Sequence, residues 1–214
     1  MNMSELLKKL ETYADSDYLP MHMPGHKRRM GDLGNPFFID ITEIDGFDDL
    51  HHAEGILKQA EERAAELYGS EETHYLVNGS TSGILAAISG CTAAGGTVLL
   101  ARNSHKSAYH AVLLRGLHVH YIYPQPVGKM GINGPVTAEN VDRLLEEHPE
   151  TKVVYITSPT YDGVVSDVEQ IAEVVHRRKL PLIVDEAHGA HFPFSEQFPR
   201  DSVSCGADVV IHSV

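Results

Sequence analysis

From about residue 74 onward, short apolar runs alternate with amphipathic stretches, and this alternation limits the fold more than any other feature of the chain. The runs fall at 74–77, 97–101, 119–123, 153–157, 182–184 and 209–213. Helical spacing of apolar residues marks 80–92, 105–114, 137–147 and 167–178 between most of them. Runs that are apolar on both faces need cover on both faces. Paired with intervening helices, they predict an α/β fold: a mainly parallel sheet with helices on both faces, in three α/β/α layers.

Ahead of this pattern the chain reads differently. Leu6, Leu7 and Leu10 sit at helical spacing over 3–14, with Ser4 as the expected N-cap. Residues 18–49 are dense in Pro, Gly and Asp and include Met23-Pro24-Gly25-His26-Lys27. A loop of that length without its own secondary structure is usually functional or poorly ordered. A further helix is expected over 53–68, closed by Gly69. The expected division is 1–50, a helix and an extended segment, and 51–214, the α/β part.

Charge removes some classes of partner. With 17 Lys and Arg against 30 Asp and Glu, the net charge is −13, which repels a phosphate backbone, so no nucleic-acid partner is expected. No apolar run approaches membrane-spanning length, and residues 1–18 carry acids and lack a signal-peptide core, so no membrane partner is expected. The two cysteines, Cys91 and Cys205, form no Cys-x-x-Cys pair and read as reduced thiols of a cytosolic protein.

Four loops carry candidate chemistry. Asn78-Gly79-Ser80-Thr81-Ser82-Gly83 opens a helix after an expected strand. Free N–H groups and the positive end of the dipole at a helix N-terminus hold phosphate, and hydroxyls add donors. A plain N-cap with a turn reads from the same residues. Neither Gly-x-x-x-x-Gly-Lys-Ser/Thr nor Gly-x-Gly-x-x-Gly occurs. Asp185-Glu186-Ala187-His188-Gly189-Ala190-His191 follows the run 182–184. A carboxylate at such a strand end can pair with a cationic nitrogen, or simply cap the next segment. As metal ligands, Asp185, His188 and His191 lack a partner set of typical spacing, so no metal is expected. The string Asp-Glu-Ala-His also spells a helicase motif, which fails without a Walker loop. Asn103-Ser104-His105-Lys106-Ser107 places an imidazole where it can stack on a flat ring, unless Ser104 caps the helix and His105 is merely exposed. Thr157-Ser158-Pro159-Thr160-Tyr161-Asp162-Gly163 is a turn on any reading.

All four loops are expected on one rim of one sheet. A phosphate cradle, a stacking imidazole and a strand-end carboxylate together are what pyridoxal 5′-phosphate requires, the carboxylate keeping the ring nitrogen protonated.

The chain resembles the ornithine/lysine/arginine decarboxylase family of pyridoxal-phosphate enzymes. The resemblance rests on Met23-Pro24-Gly25-His26-Lys27, Asp48-Asp49-Leu50-His51 with Gly55, 78–83, Ser104-His105-Lys106-Ser107, Thr160-Tyr161-Asp162-Gly163 and the block 185–192. It implies an aspartate-aminotransferase-like large domain, of which 51–214 would be the N-terminal, incomplete part. It implies that Ser80, Thr81, Ser82 and Ser213 hold the phosphate, His105 stacks on the pyridine, Asp185 pairs with its nitrogen and His188 lies beside it. His26 and Lys27 would sit near the site's mouth. It further implies a cytoplasmic homodimer or higher homo-oligomer that decarboxylates a small basic amino acid to a diamine or agmatine. In the family a His-Lys pair directly follows the position of Val214, and its lysine is the Schiff-base lysine. The chain is therefore expected to be a segment cut short of that lysine, inefficient in catalysis and binding the cofactor weakly or not at all. Two other readings stay open: another enzyme of this fold, an aminotransferase or a carbon–sulfur lyase, and a non-catalytic remnant or oligomerisation module.

Overall fold

A computed structural model describes residues 5–19, 34, 40–42, 44–129 and 131–214. The described residues divide into two units, Met1–Ile44 and Asp45–Val214. The first contains helix α1 (Glu5–Ala14); Ser4, His26 and Lys27 lie outside the described residues.

In the second unit, α2 (Ile56–Tyr68) ends at Gly69, whose φ of 69° is the left-handed closure that glycine adopts without a Cβ clash. Its start is capped at a distance, because Gly55 offers no side chain. Asp48 accepts N–H bonds from Asp49 and Glu54 on Oδ1 and from Gly55 and Leu57 on Oδ2, at 2.8–3.0 Å. These amides, Glu54's foremost, hold its carboxyl well below the usual range. The 48–55 block is thus a backbone staple.

Then follow α3 (Gly79–Cys91), β1 (Thr97–Ala101), α4 (Lys106–Arg115), β2 (His118–Ile122), α5 (Ala138–Glu147), β3 (Thr151–Thr157), α6 (Val168–Arg177), β4 (Leu182–Asp185) and β5 (Val209–Ile211). Thr137 and Asp167 cap α5 and α6 by accepting from the N–H groups of Asn140 and Gln170. Every strand pair is parallel, in the order β2-β1-β3-β4-β5. β1, β3 and β4 are buried along nearly their whole length, which explains why they read as continuous apolar runs. Side chains alternate between two cores. Val98, Leu100, Val153, Tyr155, Ile183 and Ile211 meet Ile84 and Ile88 of α3 and Ala108 and Ala111 of α4. Leu99, Val154, Ile156 and Val184 meet α5 and α6. The predicted three-layer α/β/α arrangement is the observed one.

One expected strand does not form. Residues 74–77 pair with no strand among the described residues, and Tyr75, Leu76 and Val77 stand 42%, 49% and 73% exposed. Four apolar residues are a strand only where a neighbouring strand takes their backbone groups; here Tyr75 N–H goes to the Glu61 carboxylate, 3.3 Å away. The last strand also closes at Ile211, two residues before the expected end. Cys91 and Cys205 are free, and burial pushes both thiols up. Among the described residues no helix is long and apolar enough to cross a membrane.

Candidate cofactor site at the carboxyl edge

The strand order reverses between β1 and β3, and in open parallel sheets ligands bind outside the carboxyl ends near such a reversal. Asp185 ends β4 there, 4% exposed, in register with Thr157 of β3 and Ile211 of β5. Its Oδ2 accepts from the Tyr155 hydroxyl at 3.1 Å and its Oδ1 from the Ala187 N–H at 3.2 Å. Burial pushes the carboxyl above its ordinary value; the Ala187 amide, the Tyr155 hydroxyl, and the His105 and His188 imidazoles pull it back. Both imidazoles therefore lie within electrostatic reach of Asp185. Burial, and then the Asp185 charge, push the Tyr155 phenol up as well, so it stays a donor.

His105 itself, and not Ser104, is the N-cap of α4. Its Nδ1 accepts from the Ser107 N–H at 3.3 Å and lies 2.7 Å from the Ser107 hydroxyl, while the Ser104 hydroxyl turns back to the Ala101 carbonyl. The cap fixes the ring's direction and leaves its face exposed. His188 is exposed and meets the ring of Tyr161 edge-on at 6.0 Å, which joins the β3 turn to the β4 turn. That turn is closed by the Gly163 N–H to the Thr160 carbonyl, with Gly163 at φ 81°.

The first candidate loop reaches this edge without a preceding strand. Packing of Ile84 and Ile88 holds α3 on the sheet, and the Ser80 hydroxyl donates to the His212 carbonyl at 3.2 Å, just past β5. The α3 N-terminus thus lies beside Ser213. Asn78 provides no side-chain cap, Gly79 turns at φ 70° with open space beside it, Thr81 is exposed, and Ser82 donates to the Gly79 carbonyl. Ser80, His105, Asp185, His188 and Ser213 are on one rim.

These residues fit a phosphorylated pyridinium. An uncapped helix start receives an anion, and a buried carboxylate with two neutral donors and one unmet countercharge receives a cation. Two imidazoles lie near that carboxylate. The Asn103 Oδ1 is buried without a partner in the same β1–α4 loop.

Sequence reasoning missed Tyr155 and a hub behind the rim. A tyrosine inside the run 153–157 was the available signal, because a buried hydroxyl needs a partner. The hub is Glu186, 1% exposed, whose Oε1 accepts from the Ser202 N–H (3.0 Å) and hydroxyl (2.6 Å) and whose Oε2 lies 2.8 Å from His212 Nε2. The Tyr68 ring lies 4.6 Å from that of the same histidine, tilted by 42°, and its hydroxyl donates to the Ala190 carbonyl. Gly189 closes the turn in a tight place: a Cβ there would come 2.6 Å from Glu186 Cγ, 2.8 Å from Pro159 Cδ and 3.2 Å from Phe192. Gly189→Ala is expected to cost about 1–3 kcal/mol in urea unfolding; an unchanged midpoint would show that the turn can widen freely.

A parallel α/β sheet carrying these groups at its carboxyl edge is the large-domain architecture of aspartate-aminotransferase-like pyridoxal-phosphate enzymes. The fold matches that of pyridoxamine-pyruvate aminotransferase from Mesorhizobium loti at 18% identity, with a TM-score of 0.57 over 73% of this chain and 38% of that one. Within that class the chain belongs to the Orn/Lys/Arg decarboxylase family, whose major-domain model matches residues 4–214. It is 35% identical to an arginine decarboxylase of Bacillus subtilis over 96% of this chain and 44% of the relative. Lysine decarboxylase A from Pseudomonas aeruginosa superposes with a TM-score of 0.68 at 25% identity, over 95% of this chain and 31% of that one. The chain spans less than half the length of the curated relatives it matches. The family's cofactor is pyridoxal 5′-phosphate.

Proposed function

We propose that this chain supplies the cofactor-facing part of a pyridoxal-phosphate-dependent decarboxylase of a basic amino acid, arginine foremost. The observation that carries the reading is Asp185, buried at a strand end with His105 and His188 in electrostatic reach. Relatives named arginine decarboxylase, at 33–35% identity against 26% for a lysine decarboxylase, support the preference for arginine.

When bound, the cofactor supplies a ring that accepts the electron pair left by departing carbon dioxide. The residues of this chain do the rest. The α3 amides with Ser80, Thr81, Ser82 and Ser213 bind the phosphate. The Asp185 carboxylate, oriented by Tyr155 and Ala187, holds a proton on the pyridine nitrogen. His105, fixed by Ser107, would stack on the ring and shield one face from water. His188 would border the ring from the β4 turn. The same reading includes a cytoplasmic homodimer or higher homo-oligomer and a role in making polyamine precursors.

Incubating a full-length, cofactor-loaded enzyme that contains this segment with carboxyl-labelled arginine, lysine and ornithine is the test. Labelled carbon dioxide with agmatine or a diamine is expected. A keto acid with label retained would assign an aminotransferase instead.

A further inference from the structure

On the outer edge strand, away from the cofactor rim, a second group of side chains has no part in that chemistry. His120 lies mid-way along β2, His148 is the C-cap of α5, and Glu150 stands just before β3. The two imidazoles stack face to face, centroids 3.4 Å apart and planes within 9°. His120 Nε2 is 2.9 Å and His148 Nδ1 3.6 Å from the same carboxylate oxygen of Glu150. One ligand atom from each residue lies within 4.8 Å of the others.

We propose that His120, His148 and Glu150 form a site for a borderline divalent cation such as Zn2+. Two imidazole nitrogens and one carboxylate oxygen suit such an ion, and water completes the coordination; oxygen-seeking Mg2+ and Ca2+ do not match this set. The backbone is already anchored. His120 is in register with Leu99 of β1, and the His148 N–H and carbonyl are tied to Leu144 and Thr151. For tetrahedral bonds of about 2.0–2.1 Å the ligand atoms must lie roughly 3.4 Å apart, so the 2.9 Å pair opens and the 3.6 Å pair closes. The rings must therefore fan out of their stack. Their side chains are 32% and 28% exposed, which leaves room for that rotation.

Co2+ titration of the chain, followed by visible absorbance and then displaced by Zn2+, tests the site. The expected result is one Co2+ per chain, with the intense band of low coordination number. Affinity should fall at least about tenfold, ~1.4 kcal/mol, in His120→Ala and in His148→Ala. With 14 histidines in the chain, His110→Ala is the control and should bind like the parent. Ring-proton NMR of the unmutated chain gives a reading independent of variant folding: Zn2+ should shift His120 and His148 first. Shifts at other histidines, or parent-like affinity in both alanine variants, would overturn the proposal.

Discussion

Replacing Asp185 with alanine in a full-length enzyme that contains this segment is expected to lower kcat/KM at least about a hundredfold, ~2.7 kcal/mol of transition-state stabilisation. In the proposed role this carboxylate keeps the pyridine nitrogen charged, and its two hydrogen-bonded neighbours, Tyr155 and the Ala187 amide, are donors that cannot take that role over. Steady-state kinetics with saturating cofactor measure the loss, and a fall of less than about tenfold would remove Asp185 from the assigned role. The same carboxylate is costly to the cofactor-free chain. Its folded-state value lies above the ordinary 3.8, with burial the leading cause. The folded chain therefore binds that proton more tightly than the unfolded chain. The resulting stabilisation is complete below 3.8 and is lost as pH rises through the raised folded value. Asp185→Asn stays neutral and keeps an acceptor for Tyr155, so it should melt above the parent at neutral pH while binding phosphopyridines less tightly.

The largest loss of stability is expected at Glu186, the residue beside it. Glu186→Ala would strand the Ser202 N–H and hydroxyl and the His212 ring in a place where Glu186 itself is 1% exposed. Breaking a buried, hydrogen-bonded pair from one side costs about 3–5 kcal/mol. For a chain of this size that corresponds to a melting point lower by roughly 6–20 °C. Glu186→Gln, which keeps an acceptor for Ser202, should lose markedly less. Calorimetry that found the alanine variant within about 2 °C of the parent would mean that water replaces the carboxylate there without penalty. The hub also bears on the site, because the His212 carbonyl receives the Ser80 hydroxyl and Ser213 follows it. Loosening Glu186 should therefore weaken phosphate binding as well as the fold.

Much of this architecture was legible because periodicity is local. β1, β3 and β4 announced themselves as doubly buried runs, and Gly69 marked a helix end by short-range chemistry. The 74–77 run shows where the method stops, since an apolar tetrapeptide does not state whether a partner strand exists. The rim was readable for a related reason: three of its four loops follow strands, and parallel strands put their carboxyl ends on one side. The fourth reaches the rim through α3 packing, which only the fold displays. Contacts that join distant segments left no trace in spacing. Glu186 meets Ser202 and His212 across 16 and 26 residues. His120 reaches Glu150 across 30.

An NMR titration of the isotopically labelled chain with pyridoxine 5′-phosphate addresses the rim most directly, because that ligand lacks the aldehyde and its binding depends on no lysine. Weak, saturable shifts at the amides of Gly79 to Ser82, His105, Asp185 to His188 and Ser213 are the predicted result, reduced in Asp185→Asn. Shifts gathered on the amino side of the sheet, or none at millimolar ligand, would contradict the assignment of this edge to a phosphorylated pyridine.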